Sequence, residues 1–157
     1  MKRTMSKATI AATLLAALAA GAGCKQHVKT PAEFAKMENP GYGFEFRAIS
    51  PDEVVIGVQR KPNEPKGDLE FWTSVWKDKY PPIKDYQFVE TKDIKTAKGL
   101  PGSWLVFSSE EEDGMFRLVI GLFVVKKNIW ILTAGGKEEA VKSHEGDIEA
   151  AFESFKP

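Results

Sequence analysis

Two neighbouring stretches, LVIGLFVV (Leu118–Val125) and IWILTA (Ile129–Ala134), are apolar at successive positions and are separated only by Lys126-Lys127-Asn128. Side chains of a strand alternate between its two faces, so a strand without polar alternation is hydrophobic on both and must be covered on both. The connection between the two stretches is too short for a crossover, which makes them an antiparallel pair. The centre of the fold is therefore expected to be a doubly covered hairpin, and the rest of the chain must supply its neighbours and its covers.

Those parts can be read along the sequence. Tyr42, Phe44 and Phe46 alternate with Gly43, Glu45 and Arg47, the pattern of a strand with one buried face. Ser50-Pro51-Asp52 is a turn, and Val54, Ile56 and Val58 continue as a second strand. The breaker-rich KPNEPKG (Lys61–Gly67) is a loop, after which Asp68 can cap a helix from Leu69 to Tyr80, stopped by Pro81-Pro82. A third strand is expected from Tyr86 to Thr91, then a loop through Lys98–Gly102. Trp104–Ser108 pairs with Phe116–Val125 across Glu110–Gly114, where Asp113-Gly114 is a favoured turn pair. Gly135-Gly136 is expected to end the last strand, and a final helix from Glu145 to Phe155 aligns Ile148, Ala151, Phe152 and Phe155. Two amphipathic helices are thus available to cover two faces. The expected fold is α+β, a three-layer α/β/α sandwich with a mostly antiparallel sheet of about six strands and the C-terminal hairpin at its centre.

The chain starts MKRTMSKATIAATLLAALAAGAGC. Basic Lys2, Arg3 and Lys7 precede an apolar run from Ala8 to Ala20, then small residues and Cys24, the sole cysteine. This order is that of an export signal. Its apolar run would span roughly 20 Å as a helix, less than the roughly 30 Å hydrocarbon core of a bilayer. The Gly-Cys end resembles the lipobox of bacterial lipoproteins, although Gly21 stands where that pattern favours a branched residue. The resemblance implies that Cys24 is diacylated and becomes the mature N-terminus. A lone thiol in an exported chain has no disulfide partner, which agrees with that role. Residues 1–23 are then a signal peptide, 24–39 a tether with a short helix suggested by Thr30-Pro31-Ala32-Glu33 and by Phe34 and Met37, and 40–157 one domain. The expected membrane partner is contacted through N-terminal acyl chains. Because Lys25 replaces the aspartate that signals inner-membrane retention in enteric bacteria, the expected place in a double-membrane bacterium is the outer membrane, facing the periplasm. Without the leader's three basic residues the balance is 19 basic to 22 acidic, or −3, and nucleic acid is not expected as a partner.

From about Pro40 onward the chain resembles the PsbP-like family. The resemblance rests on Gly41-Tyr42-Gly43-Phe44-Glu45-Phe46, the tryptophan helix after the second strand, the Ile129–Thr133 strand with its Gly-Gly exit, and the closing Ser154-Phe155-Lys156. Periplasmic lipoproteins of the DcrB type are similar in anchor plus domain. What the resemblance implies is an antiparallel sheet between helices and a non-enzymatic assembly or binding role.

No residue pattern names a reaction. His27 and His144 have no HExxH or His-x-His partner, and one domain histidine does not build a zinc site alone, so His144 is expected to be a solvated or helix-entry residue. Ser108-Ser109 lacks a nucleophile elbow, and no phosphate-cradling glycine motif occurs. Glu110-Glu111-Glu112-Asp113 is dense in carboxylates, but successive residues in a hairpin point to opposite sides, which marks a solvated turn rather than a cation site. Of the four tryptophans, Trp72, Trp76 and Trp130 are expected in the core. No catalytic residue, no metal ligand and no cofactor are assigned, and the domain is expected to fold without any of them.

The first helix carries the remaining candidate. Leu69, Trp72, Trp76 and Tyr80 fall within about 80° of arc, whereas Phe71 lies roughly 145° and Val75 roughly 105° from the middle of that stripe. Either the Phe34–Met37 segment folds over Phe71 and Val75, or the helix is sunk deeper than usual, or the two residues form an exposed strip that receives a partner. The expected function is a lipid-anchored, non-catalytic envelope module that binds a protein partner or assists assembly. The alternative is a small-ligand-binding protein or enzyme with a pocket between sheet and helix.

Overall fold

The computed structural model describes residues 27–157, apart from the side chains of residues 79–84. The signal-like leader, Cys24 and the side chain of Tyr80 therefore lie outside the described residues. The chain runs β1 (Ala35–Lys36), β2 (Phe44–Ile49), β3 (Val55–Pro62), α1 (Leu69–Lys84), β4 (Gln87–Lys95), β5 (Pro101–Glu111), β6 (Gly114–Val125), β7 (Asn128–Lys137), α2 (Glu138–Ser143) and α3 (Glu145–Glu153). One antiparallel sheet takes all seven strands in the order β1-β2-β3-β7-β6-β5-β4. α1 carries the chain from the middle of the sheet to its far edge. Three antiparallel turns then bring it back until β7 pairs with β3.

The non-alternating runs behave as their chemistry requires. In β6, Leu118, Ile120 and Leu122 join Leu105, Phe107, Ile129 and Ile131 in one core, against which Leu69, Trp72 and Trp76 of α1 pack. On the opposite face Val119 and Phe123 meet Trp104, Val106, Trp130 and Leu132, under Val141 of α2 and Ile148, Phe152 and Phe155 of α3 and the chain end beyond it. Every one of the four tryptophans thus contributes to a core. The two hairpins of β5–β7 each close on two residues, Glu112-Asp113 between β5 and β6 and Lys126-Lys127 between β6 and β7. Gly114 and Lys126 adopt positive φ there, 116° and 54°.

The expected six strands and two amphipathic helices become, among the described residues, seven strands and three helices, and the layers are uneven. One cover is the single helix α1. The other combines α2 and α3 with the N-terminal segment, because Val28 and Phe34 are buried in that core. From His27 onward the expected tether is thus part of the packed body. The short helix expected there is replaced by a turn and β1: Phe34 N–H donates to Pro31 C=O, which reverses the chain, and Met37 N–H donates to Arg47 C=O at the sheet edge. Three further boundaries move. α1 passes through Pro81-Pro82 and ends at Asp85, which takes the left-handed conformation (φ 56°) that Asp tolerates better than most residues. β7 continues through Gly135-Gly136, since Gly135 pairs with both β3 and β6 and Gly136 with β6. The chain after β7 forms α2, which the sequence pattern did not indicate.

Candidate functional site

The α1 strip is set by what holds the other side of the helix. Asp68 caps it, its carboxylate accepting from Phe71 N–H at 2.8 Å. Trp72 Nε1–H donates to Asn63 Oδ1 at 2.6 Å, and Asn63 also bridges Gly67 through its own amide. Thr73 and Ser103 share a hydroxyl hydrogen bond of 2.7 Å, tying α1 to β5. These contacts fix the rotation of the helix and leave Phe71 outward, 43% exposed, with Val75 half-buried. The Phe71 ring folds back over Gly67, where a Cβ would stand 2.2 Å from Cδ1, and meets Trp72 edge-on at 5.2 Å. Phe34 does not cover it, because Phe34 belongs to the core on the opposite face of the sheet.

A second constellation forms where the sequence showed no motif. His144 ends α2 and starts α3, its N–H donating to Ala140 C=O and its C=O accepting from Ile148 N–H. It is a helix-entry residue as expected, but it is not solvated: only 7% of it is exposed, and Phe34 lies edge-on to the ring at 5.1 Å. Its Nε2 faces both oxygens of Asp52, at 3.0 and 3.1 Å. Its Nδ1 faces Asp147 Oδ2 at 3.6 Å and Glu33 Oε2 at 3.8 Å. Asp52 is itself held by the β2–β3 turn, in which Glu53 N–H donates to Ser50 C=O and Ser50 N–H to Val54 C=O. The Ser50 hydroxyl donates to the Asp52 carboxylate and keeps its pKa below the usual value of 3.8; partial desolvation opposes this, and His144 adds to the lowering.

This arrangement does not activate a nucleophile. In a Ser-His-Asp relay the imidazole stands between hydroxyl and carboxylate. Here the carboxylate stands between Ser50 and His144, and Ser50 Oγ also accepts from Val54 N–H at 2.9 Å. At the Glu110–Asp113 turn no set of three carboxylate or imidazole ligands converges among the described residues; the convergent set is Glu33, His144 and Asp147. The signal for that set was tertiary. His144 and Asp147 are three apart on one helix, but Glu33 and Asp52 reach them only through β1 and the β2–β3 turn. Grooves lined by described residues are open to solvent, for instance one of about 300 Å³ bordered by Lys29, Pro31, Asp147 and Ala151. Among the described residues no helix is long and apolar enough to cross a membrane.

No family model matches the chain, and no curated protein matches it. Solved structures do. PA94 of Pseudomonas aeruginosa, a protein of unknown function, superimposes with a TM-score of 0.55 at 15% identity over 79% of this chain and 81% of its own. The cyanobacterial PsbP protein (CyanoP) of Synechocystis sp. PCC 6803 does so with a TM-score of 0.57 at 9% identity, over 80% and 82%. A Bacteroides thetaiotaomicron protein gives 0.50 at 11% identity, over 82% of this chain and 43% of that one. At these identities the likeness defines the class of fold alone: an α+β, PsbP-like domain.

Proposed function

We propose that the chain is a lipid-anchored, non-catalytic module of the cell envelope that binds a protein partner or assists assembly. Acyl chains on Cys24 hold it to a membrane, the outer one facing the periplasm in a double-membrane bacterium. Phe71 and Val75 form part of the partner surface. The observation that carries the binding role is the braced, outward ring of Phe71. Its helix is locked from behind by Asn63 and Ser103, and the ring itself rests on Gly67 and Trp72. An apolar group held in place before contact loses little rotamer freedom on binding, and rigid aromatics are favoured anchors for that reason. The non-catalytic role is supported by the order Ser50–Asp52–His144, which suits holding rather than proton relay.

The anchor is tested by Cys24→Ser. The variant is expected to fold and to leave the membrane fraction, while the wild-type N-terminus carries acyl chains by mass spectrometry. An unmodified Cys24, or a leader still attached to the mature protein, contradicts the anchor.

A further inference from the structure

We propose that Glu33, His144 and Asp147 bind a divalent first-row transition cation of the Zn²⁺ class, and that the cation clamps the N-terminal segment to α3. One ligand atom from each of the three residues lies within 4.8 Å of the other two. The separations from Nδ1, 3.6 Å to Asp147 Oδ2 and 3.8 Å to Glu33 Oε2, are too long for hydrogen bonds. They are close to the about 3.3 Å between neighbouring ligands of a tetrahedral Zn²⁺ with bonds of about 2.0–2.1 Å. Both carboxylate side chains are exposed and free to close the remaining gap.

The histidine is the independent observation that distinguishes this set from an ordinary acidic patch. It is more than nine-tenths buried, and its Nδ1, aimed between the two carboxylates, makes no hydrogen bond to a described residue. Its Nε2 is occupied by Asp52, which Ser50 orients. A carboxylate on the far nitrogen is what fixes the tautomer of a metal-binding imidazole: with the proton on Nε2, the Nδ1 lone pair points outward to a ligand. Charge points the same way. Three carboxylates surround one imidazole, whose own charge cannot exceed +1, so a dication suits the site better than a proton. A nitrogen donor with two carboxylates favours Zn²⁺-class ions over Ca²⁺, which takes oxygen ligands in greater number. The three protein ligands leave a position toward solvent for water. Glu33 lies in the turn between Val28 and β1, so a bound cation ties the segment nearest Cys24 to the C-terminal helix.

The test uses the full chain with Cys24→Ser, so that the thiol does not compete, freed of metal by chelator and titrated with Zn²⁺ alone by calorimetry. One Zn²⁺ is expected to bind and to raise the melting temperature. Glu33→Gln with Asp147→Asn should weaken binding by about tenfold or more, and Asp52→Asn by roughly 10–100-fold through loss of tautomer control. Ca²⁺ at equal concentration should not substitute. In the chain without these ligand substitutions, Zn²⁺ should shift the Nδ1 resonance of His144 in nitrogen NMR and leave that of His27 in place, a readout that does not depend on any variant folding. No binding up to about 1 mM Zn²⁺, binding unchanged in the double variant, or a shift at His27 rather than His144 overturns the proposal.

Discussion

Tyr86 packs beside Phe116 at the edge of the α1-side core, with ring centroids 6.4 Å apart. Burial raises its phenol pKa above the usual 10.0; a hydrogen bond with Ser109 acts against this and the nearby Glu111 charge adds to it. With the folded pKa raised, the neutral phenol stabilises the fold fully below the unfolded pKa, and that contribution is lost as pH rises through the folded value. A tyrosinate difference titration, wild type minus Tyr86→Phe, should therefore give a midpoint above 10.0, with stability falling only on the alkaline side. A midpoint at or below that of an exposed tyrosine contradicts the packing. At this scale, what the sequence made legible was whatever a residue's own periodicity encodes. Trp72 and Trp76 could be placed on the core stripe because helical spacing reports which side faces inward. His144 could not be placed, because burial by Phe34 and pairing with Asp52 depend on a turn and a segment remote in the chain.

Elements were legible where one hydrogen-bonding pattern dominates. The doubly apolar runs required a central hairpin with covers on both faces, and β6 and β7 supply it. Asp68 announced the start of α1. Ends were harder to place, because a breaker residue acts only within its context. Gly135-Gly136 reads as a stop, yet Gly135 is paired on both sides, with β3 and β6, and pairing with β6 carries the strand on through Gly136. Gly121, inside β6, is required for packing rather than for a turn. A Cβ at that position would lie 2.6 Å from Cδ2 of Phe152, and Phe152 is wholly buried in α3 with no room to swing away. Gly121→Ala should thus push α3 off the sheet and cost about 1–3 kcal/mol by overpacking. Thermal unfolding checks this, and combining it with Phe152→Leu should restore part of the loss because the two sites share one contact. Equal melting temperatures for Gly121→Ala and wild type would mean that α3 does not seat on β6 as described.

Across the whole molecule, the sheet has two edges, each handled differently. β1 contributes only two residues, and β4 carries Glu90, Lys92, Asp93 and Lys95 among mostly exposed positions. Short or charged edges resist strand addition, so a partner is better received on a helix than by extending the sheet. Of the helices, α1 presents the outward Phe71. The PsbP-like architecture was legible from strand order and the closing helix together, whereas the packing of residues 27–39 was not, since β1 and the buried Val28 and Phe34 are positioned by contacts with β2 and α3. The most direct measurement is quantitative affinity purification of the membrane-anchored protein and its Phe71→Glu variant, each with its melting temperature recorded. With Phe71 exposed, the added carboxylate remains in water and the melting temperature should hardly change, while specific co-purifying envelope proteins recovered by the wild type should be lost. Equal recovery of the same proteins by both forms, or a sharp fall in the variant's melting temperature, would contradict a partner surface at Phe71.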